Sequence, residues 1–489
     1  MKDLKLDLTS LCTKFTNKGL EKCDLYIDNF IIKFDILIHS FNFQNLLIFF
    51  LIFILFNFFL NFFKDLNKYI KTFINLNFCF FFLCIIIFPS NIPFTDTWQE
   101  IYYLINETYF NYFIQPAAGH FFFGFRFFHI IIHKYFFLNY TLLHVINFII
   151  YFFSCLLLIF YINKFKSNFF LFACLLIIFS GKWINIFVDP VNIAWTINFF
   201  LTICFVLLIK YKDCFLKYTG ISLILFFALI NFGSGIVLIV YSMIYGFFVR
   251  KKKVKSFFFI IFSIFLYLII FKFAKIYLLL DLLEVDFISL LEINFLDLIK
   301  VYLALCASIF FPYLLTPMPL LILVGFIQNF TILFLIFVKK KNFLRNIYKF
   351  IITNSFLVIG AMGCLLISTI RGDFEAIRYS SYPIFFQIGF AQFVYKQKFD
   401  NFSFSNKIIF PFLFFFYLIS IIGPNTGIDY AISRSAISQK INKCIENNND
   451  NCNKLAYYET MYQGTWYNYE KFNNVFNYLE NNKLSFMRR

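Results

Sequence analysis

FQNLLIFFLIFILFNFFLNFF, residues 43–63, decides the fold, because it carries no charge from end to end. A run of this length and apolarity crosses a bilayer, since about 20 helical residues at about 1.5 Å each cover a hydrocarbon core of about 30 Å. Lipid gives backbone amides no partner, so the segment must satisfy its own hydrogen bonds as a helix. Working outward, comparable runs lie at 73–90, 141–162, 168–187, 191–209, 219–249 (a hairpin), 256–280, 318–338, 350–370, 380–395 and 405–422. Of the 489 residues 61% are hydrophobic and 14% charged, with a mean hydropathy of +0.76. Soluble domains hold about 45–50% apolar and about 25% charged residues, so that class is excluded. The runs lack the period-two alternation of a transmembrane barrel. The expected fold is an all-α polytopic membrane protein of about twelve transmembrane helices with interfacial helices on its outer face. An amphipathic N-terminal segment (1–42) precedes the transmembrane domain (43–422), and a small extracytoplasmic tail (423–489) follows it.

The net charge of +17 could suggest nucleic acid, but the lysines gather at helix ends: Lys64, Lys68 and Lys71; Lys164 and Lys166; Lys210, Lys212 and Lys217; Lys251 to Lys253; Lys339 to Lys341; Lys396 and Lys398. The positive-inside rule assigns these ends to the cytoplasm, and no nucleic-acid partner is expected. The stretch around Asp96 then faces outward. Residues 119–138 are too polar for a lipid-facing span and are placed along the outer interface. The acidic segment 281–299 reads as an amphipathic helix on the outer surface, and 300–316 as a re-entrant or interfacial helix before the crossing at 318–338. No cleavable signal peptide is expected in the first 40 residues. The 83 Phe, with abundant Ile, Asn and Lys, reflect AT-rich codon usage, so the retained Trp, His, Arg, Gly and Pro residues carry more information.

The first long polar break runs from Phe94 to Arg126, FTDTWQEIYYLINETYFNYFIQPAAGHFFFGFR. Asp96 with Gln99 suits a capping box opening a helix at 97–105; it equally suits a carboxylate that deprotonates an acceptor hydroxyl or holds a metal. His120 and Arg126 read either as snorkelling interfacial groups or as ligands of a lipid-linked phosphate. His129 and His133, at i and i+4, are a weak metal pair without the Glu of HExxH. Trp183 and Trp195 suit the interfacial aromatic belt. Asp189 before Pro190 either starts a helix with Pro at its first position or meets Asp96 across a cleft. Asn231 to Gly235 reads as a close-packing turn. Arg371 and Arg378, seven apart where lysine is the usual base, suit a phosphate gripped by guanidinium forks, or ion pairs with Asp373 and Glu375. Cys444 and Cys452 (CIENNNDNC) would close a small loop in an oxidising compartment; the other cysteines show no zinc or CxxC pattern.

Taken together, Asp96-Thr97-Trp98, Gly119-His120 to Arg126, Asn192-Ile193-Ala194-Trp195, Asn231 to Gly235 and Arg371-Gly372 to Ala376-Ile377-Arg378-Tyr379 resemble motifs of bacterial multi-spanning proteins similar to GT-C glycosyltransferases. The resemblance spans roughly residues 75–395 and departs from the family where Ala118 and Gly119 replace an acid before the His. It implies a polyprenyl-phosphate-sugar donor, a glycan or lipid acceptor, and a site on the outer side of the bacterial cytoplasmic membrane. It further implies Asp96 as base, Asp189 as helper or metal ligand, and Arg371 and Arg378, aided by His120 or Arg126, on the donor phosphate. The cofactor stays open, a divalent cation being the candidate. The alternatives are an O-antigen-type polysaccharide polymerase, a transporter or flippase of lipid-linked sugars, and a catalytically inactive scaffold.

Overall fold

The computed structural model describes residues 43–61, 66–87, 91–94, 96–115, 121–165, 167–212, 214–231, 235–248, 260–269, 272, 294–308, 318–339, 350–371, 381–396, 403–422, 427–447, 451–461 and 469–485. Most of these residues are helical, and none of them forms a strand. Among the described residues four helices are long and apolar enough to cross a membrane: Lys68–Ile86, Tyr140–Asn163, Pro190–Ile209 and Met318–Ile336. Shorter apolar helices, among them Asn168–Ile178, Phe215–Asn231 and Ser355–Thr369, pack beside them. Large apolar side chains also remain exposed, as Phe326, Phe330 and Phe334 do along one face of Met318–Lys339. Water would penalise such a stripe; lipid does not. The chain is an all-α protein with the character of a membrane protein.

In chain order, α1 (Phe43–Asn61) and α2 (Lys68–Ile87) form a pair in which Phe56 stacks on Phe78 at 4.2 Å. Three short helices follow: α3 (Asp96–Asn106), α4 (Tyr109–Ile114) and α5 (Phe123–Phe136). The long α6 (Tyr140–Asn163) then descends through the bundle. Its 24 residues extend about 36 Å at about 1.5 Å per residue, so its two ends mark two faces of the protein.

At the far end of α6, Tyr161 accepts hydrogen bonds from Lys210 and from Gln392 Nε2 (3.2 Å). Lys396 lies over the Phe165 ring at 5.2 Å and donates to the Thr353 carbonyl. The lysines that end α6, α9 (Ile193–Ile209) and α15 (Ser381–Lys396) therefore meet at one end of the bundle, as expected if one side of the membrane collects them.

The segment expected to cross as one helix at 168–187 is broken into α7 (Asn168–Ile178) and α8 (Lys182–Phe187). A distant contact meets the break. Gly181 donates its N–H to Ser420 Oγ (2.9 Å), and a Cβ at Gly181 would lie 2.1 Å from the Ser420 carbonyl oxygen. Carbonyls near the break are met from α6: Tyr151 Oη donates to Ile178 O (2.5 Å) and Asn147 Nδ2 to Ile186 O (3.0 Å). Trp183 and Trp195, read from sequence as belt residues, are buried; Trp183 packs on Tyr151 at 4.2 Å and on Phe199 at 5.0 Å. The helix break turns α8 into the bundle and takes its tryptophan away from the interface.

After α10 (Phe215–Asn231) and α11 (Ile236–Phe248) comes α12 (Phe295–Ala307), which holds the described part of the segment 300–316 read as a re-entrant or interfacial helix; it lies antiparallel along α13 (Met318–Lys339). Tyr302 Oη donates to Asn329 Oδ1 (2.9 Å), and Gly325 lets the helix backbones touch at Leu303. Further along, Gln387 Nε2 bonds both Gln328 Oε1 (2.9 Å) and the Cys306 carbonyl (2.6 Å). This buried glutamine lattice draws the segment into the bundle alongside α14 (Ser355–Arg371) and α15. Most of the acidic segment 281–299 lies outside the described residues.

Beyond α16 (Ser403–Ile422), the tail folds into α17 (Gly427–Glu446), α18 (Cys452–Thr460) and α19 (Tyr469–Asn481). In α19 the buried Phe472, Val475, Phe476 and Leu479 fall at i, i+3, i+4 and i+7, one helical stripe. That stripe joins Trp98, Ile101, Leu104, Phe125 and Ile132 in a second apolar core, separate from the bundle core. The tail thus roofs α3 and α5 at the end of α6 away from the lysines. Cys444 and Cys452 are joined as a disulfide linking α17 to α18. Its reduction should cost the tail about 2–3 kcal/mol. The expected readout is faster trypsin cleavage at Lys443 and Lys454 under reductant, with Cys444→Ser equally sensitive and no longer responsive to reductant.

Candidate functional site

The cap end is built from α3, α4, α5, the turn before α9 and the tail. Asp96 is the first residue of α3, one residue earlier than the expected start, and its side chain is exposed. A carboxylate there complements the helix dipole. The helix then turns Thr97, Trp98, Glu100, Ile101 and Leu104 inward. Asp189 precedes a 3₁₀ turn, Pro190–Asn192, with Pro190 at its first position. Asn192 Nδ2 reaches Asp189 Oδ2 at 3.4 Å. This turn packs against α3 and α5, and Val191 enters the core that holds Trp98. The elements bearing the two acids are therefore brought together.

Arg126 is fully buried and its guanidinium is occupied. Nε donates to Glu100 Oε2 (2.8 Å) and Nη2 to Glu100 Oε1 (2.9 Å), while Nη1 donates to the Gln115 carbonyl. The Tyr112 ring lies beneath the cation at 5.0 Å. The pairing is bidentate, the strongest geometry available to arginine and carboxylate. It clamps α3, the end of α4 and α5 together. His120 and Arg378 lie outside the described residues. Arg371 closes α14, and its side chain lies outside them too.

The two histidines of α5 face tyrosines. His129 Nδ1 meets Tyr112 Oη at 2.6 Å and Nε2 meets Tyr140 Oη at 2.9 Å. His133 Nδ1 meets Tyr109 Oη at 2.9 Å and Nε2 meets Tyr478 Oη of the tail at 3.3 Å. With both ring nitrogens of each engaged, the pair is not arranged as a chelate. Among the described residues no three His, Cys, Asp or Glu side chains could hold a metal ion. The divalent cation considered from the sequence finds no donor set among the described residues.

Burial, with the nearby His133 and Arg126 charges, pushes His129 well below the ordinary value of 6.5; burial also lowers His133. Both are thus neutral in the fold, whereas the unfolded chain takes up protons first as the pH falls. Their contribution to stability is complete above about pH 6.5 and is lost below it, as the pH falls through the depressed folded values. Tail protease resistance should stay flat from pH 8 to about 6.5 and fall from there toward pH 5. His129→Gln with His133→Gln should flatten that descent.

Asn231 seats the cap on the bundle. Its Oδ1 accepts the Gly124 N–H of α5 (3.0 Å), and its Nδ2 donates to Ala194 O (2.7 Å) and Asn198 Oδ1 (2.9 Å) of α9. The residue read from sequence as part of a small-residue turn is a three-way junction. Gly235 behaves as that reading expects, since a Cβ there would lie 2.4 Å from the Ala228 carbonyl group.

Glu100, Tyr112 and Tyr140 form the buried polar part of the cap, with the exposed Tyr109 and half-buried Tyr478 at its edge; the tyrosines were not singled out from sequence. Glu100 carried a usable signal: a carboxylate inside the stripe Thr97, Ile101, Leu104 must find a cation. Comparison with family models, curated proteins and solved structures yields no match for this chain.

Proposed function

We propose that this protein is an integral membrane glycosyltransferase of the GT-C type, with about twelve crossings in the bacterial cytoplasmic membrane and its cap facing outward. It would move a sugar from a polyprenyl-phosphate donor to a glycan or lipid acceptor. The observation that carries the reading is the joining of the Asp96 helix and the Asp189 turn at the end of the bundle opposite the lysines, under a disulfide-bonded roof.

On this reading the exposed Asp96 carboxylate takes the proton of an acceptor hydroxyl as its oxygen bonds to the anomeric carbon. The bond from that carbon to the phosphate oxygen breaks, and polyprenyl phosphate leaves with the electron pair. Arg371 and Arg378, with His120, are the groups proposed to meet the charge developing on that phosphate. Arg126, already held by Glu100, braces α3 against α5 and so sets the start of α3 where Asp96 stands. Asp189 supports Asp96 from the adjoining turn.

One observation favours a second reading, a flippase of lipid-linked sugars. A membrane helix broken at Phe179–Gly181 with a buried Lys182 beside it is a feature that transporters share.

Asp96→Asn and Arg378→Ala, each expressed at wild-type level in the producing cell, should change the surface glycan. A glycan unaltered in both variants would reject the enzyme. Accumulation of finished lipid-linked sugar on the cytoplasmic leaflet would favour the flippase.

A further inference from the structure

Three lysines at the end of the bundle away from the cap take no part in the proposed transfer. Lys164 and Lys210 follow the last residues of α6 and α9, and Lys396 ends α15. They share one patch around Tyr161. Lys210 donates to the Tyr161 hydroxyl, and its ammonium lies 4.2 Å from the centre of that ring. Gln392, one turn before Lys396, donates to the same hydroxyl at 3.2 Å, and Lys396 reaches the Thr353 carbonyl at 3.1 Å. The Phe165 ring, 5.2 Å from the Lys396 ammonium, packs edge-on against Tyr161 at 6.1 Å. Lys164 stands one turn after Phe160 and lies over its ring at 4.9 Å.

Among the described residues no carboxylate pairs with any of the three. The C-termini of their helices offset part of the charge, but about half an elementary charge apiece leaves a positive surplus. Lys210 feels it: partial burial, followed by the charges of Lys396 and Lys164, pushes it down to about 7. An ammonium has three donors, and the bonds above use one on Lys210 and one on Lys396. Lys164 and Lys210 are exposed and Lys396 is half-buried, so an anion can reach the remaining donors. Apolar surface borders the same patch. Phe160 is 51% exposed, and Tyr395, beside Lys396, is 42% exposed. A free anion has no use for that border, whereas a lipid can set its phosphate among the ammoniums and its chains against the rings.

We propose that Lys164, Lys210 and Lys396 form a binding site for the headgroup phosphate of an anionic bilayer lipid, whose chains lie beside Phe160 and Tyr395. Basic recesses where helices end at the cytoplasmic leaflet hold such headgroups. The bound phosphate relieves the repulsion among the three ammoniums and ties the ends of α6, α9 and α15 together. The site stands at the opposite end of the bundle from Asp96 and does not require the transfer reaction.

The test uses the full-length protein in nanodiscs of phosphatidylcholine, alone or mixed with phosphatidylglycerol. Native mass spectrometry counts the retained lipid, and thermal unfolding follows stability. Wild type should keep one phosphatidylglycerol after phosphatidylcholine is stripped away and should unfold at a higher temperature in the mixed discs. Lys210→Gln with Lys396→Gln should bind that lipid at least tenfold more weakly and gain no stability from it. Lys339→Gln with Lys340→Gln removes the same charge from another lysine cluster and should bind as wild type does. Equal weakening in that control would show general attraction to a basic surface and reject the site, as would undiminished retention in the folded Lys210 and Lys396 variant. Inorganic phosphate giving the same stabilisation in phosphatidylcholine discs would overturn the lipid in favour of a free anion. Should the double variant fail to fold, Lys164→Gln takes its place, with at least threefold weaker binding expected and unchanged binding rejecting the site. Asp96→Asn separates this result from the proposed activity: it should keep the lipid whether or not it alters the surface glycan.

Discussion

Replacing Glu100 by alanine should destabilise the cap by about 3–5 kcal/mol, because it leaves the Arg126 charge buried without its counter-ion. Glu100 is 4% exposed and Arg126 fully buried, so neither can recover hydration by a small movement. The Gln115 carbonyl and the Tyr112 ring remain, but neither carries a full negative charge. Arg126→Ala should be comparably damaging, since it strands a buried carboxylate and opens space between α3 and α5. The pair gives a sharper expectation when both members change. Glu100→Leu with Arg126→Met removes both desolvation costs and should regain most of the loss, because a packed apolar pair replaces buried ions at little net cost. Thermal unfolding of the four proteins in one detergent checks this. Single variants as stable as wild type would show that the pair is hydrated and the cap looser than described. A double variant much worse than either single would show that the apolar pair does not pack in place of the ions.

Trp98→Ala should cost a similar amount, about 3–5 kcal/mol, by the cavity it leaves. Trp98 is fully buried at the centre of the second core, with its ring 4.5 Å from that of Phe472 and its Nε1 donating to Thr460 Oγ1 at 2.8 Å. The loss falls on the seam between tail and cap, so the tail should become protease-sensitive before the bundle unfolds. Trp98→Phe keeps most of the apolar contact and loses one hydrogen bond, for about 1 kcal/mol. Thr460 still donates its hydroxyl to the Ala456 carbonyl, so that group is not stranded. Equal sensitivity of tail and bundle in Trp98→Ala would show that the two cores unfold as one unit.

The all-α, apolar helical character was readable because lipid imposes the same demand on every crossing, and four of the described helices are long and apolar enough to cross. The runs 43–63 and 141–162 correspond to α1 (Phe43–Asn61) and α6 (Tyr140–Asn163) within two residues at each end. The break at Gly181 was readable only in part: Ser180-Gly181-Lys182 interrupts the apolar run 168–187 locally, whereas the contact that holds the break, with Ser420, lies 239 residues away. The cap was readable in part. A polar break, an acid at a helix start and a disulfide pair stood out locally, and Cys444 and Cys452 are bonded. The joining of Trp98 to Thr460 spans 362 residues and leaves no local trace. Arg126 stood out as a rare arginine, and its partner was missed because Glu100 lies in a helix whose charged and apolar residues share one buried stripe. His129 and His133 show the same limit: i, i+4 spacing fixes which residues share a face, while the tyrosines opposite come from α4, α6 and α19.

The central claim is that the acid-bearing cap and the tail lie outside and the lysine end inside. A membrane-impermeant maleimide applied to intact cells tests it directly. Tyr458 is exposed on the tail, and the native Cys214 is exposed and free beside Lys212 at the lysine end. Tyr458→Cys should label in intact cells, while Cys214 should label only after the membrane is opened. Labelling of Cys214 in intact cells, with Tyr458→Cys protected until permeabilisation, would invert the protein and place Asp96 on the cytoplasmic side.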